Sequence, residues 1–237
     1  MTGVAPSLPV FLPLATGHCL FPALSTLTVA RRGSRIAIAS DALTTFDETR
    51  LPPENDAAPE KIVRIGDAYV GIVGFTAHHL VIQDALERLE TVDFTSRRGI
   101  FETFVDLHPI LKEDYFLLPE SGEEGDPYES TQVSILIASP QGIFGVYDMR
   151  EVHEFKRFWA MGSGFAYALG AMHARYDDAP DAAALATAGI EAGCLFDRSS
   201  ALPVSVFEFE SAPAPERPRA RPRAKGSVSA TRRARGR

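Results

Sequence analysis

Ser25-Thr26-Leu27-Thr28-Val29-Ala30, followed by Ile36-Ala37-Ile38-Ala39-Ser40 and then Asp41, is the stretch on which the fold turns. β-branched and small apolar residues fill both runs. Between them Arg31-Arg32-Gly33-Ser34 is a basic tip with a glycine where a hairpin turn needs one, so the two runs predict paired antiparallel strands. The first strand opens on two hydroxyls and the second runs into a carboxylate. A third predicted strand, Lys61-Ile62-Val63-Arg64-Ile65, opens on a lysine. Taken singly these are ordinary residues: an aspartate after a strand caps a turn, and a lysine at a strand end faces water. Their order is what carries information, because neighbouring strands can bring strand-end side chains together.

Working outward, residues 1–24 read as a leader or pro-segment, broken by Pro9, Pro13, Gly17 and Pro22. Residues 42–60 are polar, hold Pro52, Pro53 and Pro59, and predict a loop. Ile62–Ile65 and Tyr69–Val73 then pair around Gly66-Asp67. From Ala77 to Leu89 the period changes: Leu80, Val81, Ala85 and Leu89 fall at helical spacings. Ile100–Tyr115 predicts a second helix that Pro109 kinks or ends. An acidic loop follows at residues 121–127. Val133–Ala138 and Gly142–Asp148 predict another hairpin, and Val152–Trp159 one further strand. Gly164–Arg175 and Ala182–Cys194 are alanine-rich helices, the second with Asp181 as N-cap, and Val204–Glu210 closes with alternation. Strand runs and helix runs are segregated. That argues against a doubly wound parallel sheet and favours two packed antiparallel sheets covered by helices.

The chain has 237 residues, 45% of them hydrophobic, enough for one well-buried domain over residues 25–210. Its net charge of −7 hides an asymmetry. Residues 211–237 hold nine Lys/Arg and one Glu, about +8, which leaves about −15 on residues 1–210. The tail is rich in Pro, Ala and Arg, lacks apolar periodicity and predicts disorder. Its charge allows non-specific contact with nucleic acid, but no aromatic interleaving or recognition fold supports sequence-specific binding. Cys19 and Cys194 make neither a disulfide framework nor a metal-ligand spacing, which fits a reducing, cytoplasmic compartment. Leu8–Ala23 is too short and broken for a membrane span and has no basic region before it. His78-His79 would point about 100° apart on a helix and cannot readily share one ion. No metal or cofactor is expected.

Amide hydrolysis requires a nucleophile, a base, donors for the developing oxyanion and an acid for the leaving amine. A serine or threonine that begins a chain can use its own α-amine, which titrates near pH ~8, as the base. A neighbouring lysine lowers that pKa and helps activate the hydroxyl, and a carboxylate holds the lysine. Ser25 or Thr26, Asp41 and Lys61 supply these types. Gly162-Ser163-Gly164 and Asp197-Arg198-Ser199-Ser200 add further hydroxyls and a carboxylate later in the chain.

In this order the motifs resemble the proteasome β-subunit and HslV-type branch of the N-terminal nucleophile (Ntn) hydrolases, over roughly Ser25 to Phe209. The features that match are Ser25-Thr26, Gly33, Ser40-Asp41, Lys61, Val73-Gly74-Phe75-Thr76-Ala77, Gly162-Ser163-Gly164 and Asp197–Ser200. The resemblance implies an α+β fold, a four-layer αββα sandwich of two stacked antiparallel sheets flanked by helices. It implies that Ser25 attacks, with Thr26 as the alternative one residue out of phase. Lys61 would tune the nucleophile, Asp41 would orient Lys61, and Ser163, Asp197 and Ser200 would position the amine and relay protons. The backbone N–H of Thr76 or Ala77 would serve the oxyanion. It further implies homo-oligomeric rings of six or seven copies, unfolded polypeptide substrates and an ATP-driven unfoldase as partner.

The sequence departs from the family pattern in three places. Ser25 stands where threonine is usual, Leu24 where pro-forms carry glycine, and the loop before Lys61 is longer. Three readings follow: a threonine/serine-type endopeptidase freed of residues 1–24, a catalytically inactive ring subunit acting as scaffold or binding module, and a small-amide acylase of the same superfamily.

Overall fold

The computed structural model describes residues 25–46, 49–118 and 127–213. The expected leader with Cys19, most of the acidic loop and most of the basic tail lie outside the described residues. The first predicted hairpin is β1 (Thr26–Arg32) and β2 (Arg35–Ser40), turning at Gly33, whose φ of +59° suits glycine. Residues 42–60, expected as a loop, contain a short hairpin of β3 (Thr44–Phe46) and β4 (Thr49–Leu51). Next come β5 (Ile62–Ile65), β6 (Ala68–Val73), α1 (Thr76–Glu87) and α2 (Arg97–Glu113). α2 is capped by Ser96, whose hydroxyl accepts the Gly99 N–H, and it runs through Pro109 rather than ending there.

The next hairpin is β7 (Ser134–Ser139) and β8 (Gly142–Val146). The single strand expected over 152–159 is two: β9 (Val152–Phe155) and β10 (Phe158–Gly162). They belong to different sheets, and Lys156-Arg157 is the corner between them. α3 (Phe165–Arg175), α4 (Ala182–Phe196) and β11 (Ser205–Glu210) complete the chain, with Asp181 capping α4 as expected. The sheets are antiparallel, in the orders β10-β1-β2-β11 and β5-β6-β7-β8-β9.

Period-2 alternation sorts the core. Leu27 and Val29 of β1, Ile36 and Ile38 of β2, and Leu136 and Ala138 of β7 share one apolar cluster between the two sheets. The opposite faces of β6, β7 and β8, with Val70, Ile72, Ile135, Ile137 and Phe144, pack on Ile82 and Leu86 of α1 and Phe104 and Leu107 of α2. On the other face of the four-stranded sheet the fully buried apolar residues are alanines (Ala30, Ala37, Ala39, Ala160), with Thr26 and Thr28 beside them. Small side chains there let α3 and α4 lie close against the strands through Ala168, Met172, Leu185 and Ile190.

Strand register decides where the chemistry falls. Leu27 faces Ser40, so Thr26 and Asp41 follow as neighbours, and the Asp41 N–H donates to the Thr26 carbonyl at 3.1 Å. Thr26 also faces Gly162 on β10. The start of β1, the exit of β2, the entry of β5 and the exit of β10 therefore meet at one end of the stacked sheets.

Candidate active site

Lys61 is a buried lysine, 6% exposed, and each of its three ammonium hydrogens has a partner: Ser25 Oγ at 2.9 Å, Asp41 Oδ1 at 2.8 Å and the Leu43 carbonyl at 2.7 Å. Burying an ammonium and a carboxylate is costly unless the pair is well placed and its remaining hydrogen-bonding capacity is met. Here it is met. Asp41, fully buried, accepts the Thr26 N–H at 2.9 Å on Oδ1, and the Leu43 and Ala201 N–H groups at 3.0 and 3.1 Å on Oδ2. The carboxylate is thus fixed by backbone from three segments, and it fixes Lys61 in turn. An ammonium that donates to Ser25 Oγ favours the oxygen carrying negative charge.

A second set of groups surrounds the other side of residue 25. The Ser25 backbone N–H donates to Ser163 Oγ at 3.3 Å. Ser163 and Ser200 each lie 2.7 Å from Asp197 Oδ2 and donate their hydroxyl protons to it. Ser200 Oγ, with its proton so committed, accepts from the Thr26 hydroxyl at 2.7 Å. Thr26 Oγ1 therefore points away from Lys61, into a fully buried seat under α3 and α4. Glycines make that seat. A Cβ on Gly164 would come within 2.0 Å of Thr26 Oγ1, and one on Gly193 within 2.4 Å. Gly162, at φ +95°, lies so close to the Ser25 carbonyl that a Cβ would fall 2.1 Å from its oxygen.

The structure thus brings Ser25, Thr26, Asp41, Lys61, Ser163, Asp197 and Ser200 into two hydrogen-bonded groups that meet at Ser25. Thr76 and Ala77 are both exposed at the start of α1; Thr76 lines the same cleft and Ala77 does not. As the first residues of a helix, both carry N–H groups without an intrahelical acceptor. Sequence reading missed the Leu43 carbonyl and N–H, the Ala201 N–H, and Gly193. Backbone ligands leave no side-chain signature, and Gly193 sits inside an alanine-rich helix where it resembles any small residue.

The two adjacent histidines part company. A Cβ on Gly74 would lie 3.2 Å from His78 Nδ1, whereas His79 lines the cleft beside Ser25. Burial, then the charge of Lys61 and then His78 push the His79 imidazole down to about 4, so it is neutral at pH 7. Cys194, partly buried against the α3–α4 core, has its thiol pushed up to about 12 by burial first, with Asp41 adding to the effect. It is protonated and inert there. No helix among the described residues is long and apolar enough to cross a membrane.

Solved structures of similar chains give the same assignment. The chain is 42% identical to Thiobacillus denitrificans BPH, a bacterial proteasome homologue, over 79% of this chain and 99% of that one, with a TM-score of 0.74. The same protein in complex with epoxomicin matches at 41% identity, over 79% and 100% of the two chains, with a TM-score of 0.73. Eukaryotic HslV from Trypanosoma brucei shares the fold at 21% identity and a TM-score of 0.56, over 78% of this chain and 99% of that one. No family model and no curated protein matches the chain. The register that gathers strand ends at Ser25 and the likeness to BPH agree: the chain belongs to the proteasome β-subunit and HslV-like family of N-terminal nucleophile hydrolases.

Proposed function

We propose that this protein is a proteasome-like serine-type endopeptidase whose nucleophile is the hydroxyl of Ser25. The observation that carries the reading is Lys61 Nζ, 2.9 Å from Ser25 Oγ and locked by the buried Asp41. Thr26 is the weaker candidate, because its hydroxyl is committed to Ser200. In this reading residues 1–24 are cut away, and the amide nitrogen of Ser25 becomes an α-amine next to Ser163. The amine removes the Ser25 hydroxyl proton as Oγ attacks the substrate carbonyl, with Lys61 favouring the developing charge. The tetrahedral oxyanion takes N–H donors at the α1 start, Thr76 or Ala77. The protonated amine then delivers its proton to the leaving nitrogen, an acyl-Ser25 ester remains, and water hydrolyses it. Ser163, Asp197 and Ser200 hold the amine through this cycle.

Three apolar cores, one on each side of the two sheets and one between them, support a four-layer αββα sandwich over residues 25–210. Membership of the family supports rings enclosing unfolded polypeptide in a chamber, fed by an ATP-driven unfoldase in the cytoplasm, with residues 211–237 as a separate tail. A second reading, an inert ring subunit, rests on one fact. While Leu24 is attached, the nitrogen of Ser25 is an amide and cannot act as a base. Fluorogenic peptides separate the two. We expect hydrolysis that Ser25→Ala abolishes, that Thr26→Val retains in part and that epoxomicin, which BPH binds, suppresses. Hydrolysis surviving in Ser25→Ala would overturn the assignment.

A further inference from the structure

We propose that the cleft beside Ser25 selects substrates with a cationic side chain, arginine or lysine, next to the bond that is cut; this rests on the endopeptidase reading. The cleft holds about 300 Å³ between the β3–β5 segment and α1, at the small end of ligand sites. Two carboxylates line it, Asp56 and Glu60. Asp56 accepts the Ala58 N–H and the Thr44 hydroxyl, and Glu60 accepts the Lys61 and Ile62 N–H groups through Oε1. Among the described residues, neither has an ion-pair partner.

The cleft's own cation does not neutralise them, because every ammonium hydrogen of Lys61 is already committed to Ser25, Asp41 and Leu43. His79 is neutral at pH 7. The cleft therefore carries about two negative charges without an ion-pair partner beside a nucleophile; Asp56 is half-buried and Glu60 exposed, so salt screens them in part. A guanidinium or ammonium entering the cleft supplies donors for both carboxylates. An acidic side chain is repelled, and an apolar one leaves them unpaired.

The test uses tripeptide amides that differ only in their last residue: arginine, lysine, norleucine or glutamate. Their binding to the full chain and to Ser25→Ala is measured by calorimetry, and cleavage of the matching fluorogenic series is measured in parallel. Arginine and lysine should exceed norleucine at least tenfold in affinity and in kcat/KM, and glutamate should be worst. Added salt should narrow the gap. The double variant Glu60→Gln/Asp56→Asn, whose amides keep the backbone acceptors, should bring arginine and norleucine within about threefold. Equal binding of all four peptides, no binding, or a preference that survives in the double variant overturns the inference. Turnover without a cationic preference sinks the inference but leaves the endopeptidase reading. A cationic preference in binding without turnover does the reverse.

Discussion

Lys61 shows how one side chain sets both stability and chemistry. Removing it strands Asp41, fully buried, without its counter-charge. Loss of one partner of a buried pair costs about 3–5 kcal/mol. Three backbone N–H donors remain on Asp41, so Lys61→Met should sit near the lower end of that range in urea unfolding and should lower kcat at least about a hundredfold. An unchanged kcat would remove Lys61 from the mechanism. His79 gives a second residue-scale prediction. Its folded-state pKa, about 4, lies below its unfolded value, so below pH 6.5 the unfolded chain takes a proton that the folded chain refuses. Stability should fall as pH drops from 6.5 toward 4, and His79→Gln should flatten that slope. A slope identical in both proteins would mean that another group is responsible.

The packing of α3 and α4 on β1 is where whole elements constrain the site. Gly164→Ala would push a methyl into the Thr26 hydroxyl, and overpacking of this kind costs about 1–3 kcal/mol. Because Thr26 adjoins Ser25, hydrolysis should drop along with melting temperature. Ser96→Ala, which uncaps α2 at a residue that does not line the Ser25 cleft, should cost about 1 kcal/mol and leave hydrolysis intact. If both variants lost activity equally, the effect of Gly164→Ala would be one of stability alone.

Elements also show what the sequence could reveal. The β1–β2 and β7–β8 hairpins were legible because alternation runs long enough to fix a period and a turn residue lies between the strands. β3 and β4, at three residues each, are too short to alternate. β9 and β10 read as one strand because composition cannot tell where a chain leaves one sheet for another. Ser25, Thr26, Asp41 and Lys61 were legible as strand-end residues in order, and Ser163, Asp197 and Ser200 as later motifs that follow them. The carbonyl of Leu43 and the N–H of Ala201 were not, since any residue could supply them. Which of Ser25 and Thr26 faces Lys61 depends on a one-residue register that the β1–β2 pairing sets and sequence spacing left open.

At the scale of the molecule, several large apolar side chains remain uncovered. Tyr167 and Phe196 pack ring on ring at 5.3 Å across α3 and α4 while both stay exposed, with Phe165 and Leu195 nearby on the same helices. In the proposed ring this surface would lie against a second copy of the chain. Native mass spectrometry should find rings or stacked rings of six or seven copies, and a monomer at micromolar concentration would count against the chamber. Catalysis by this mechanism requires the amine of residue 25 to become free. The most direct measurement is the intact mass of the protein purified from its own host, beside Ser25→Ala made the same way. Removal of the leader by the Ser25 hydroxyl itself predicts a wild-type chain beginning at Ser25 and a variant that keeps residues 1–24. Wild-type protein that hydrolyses peptides while still carrying those residues would contradict it.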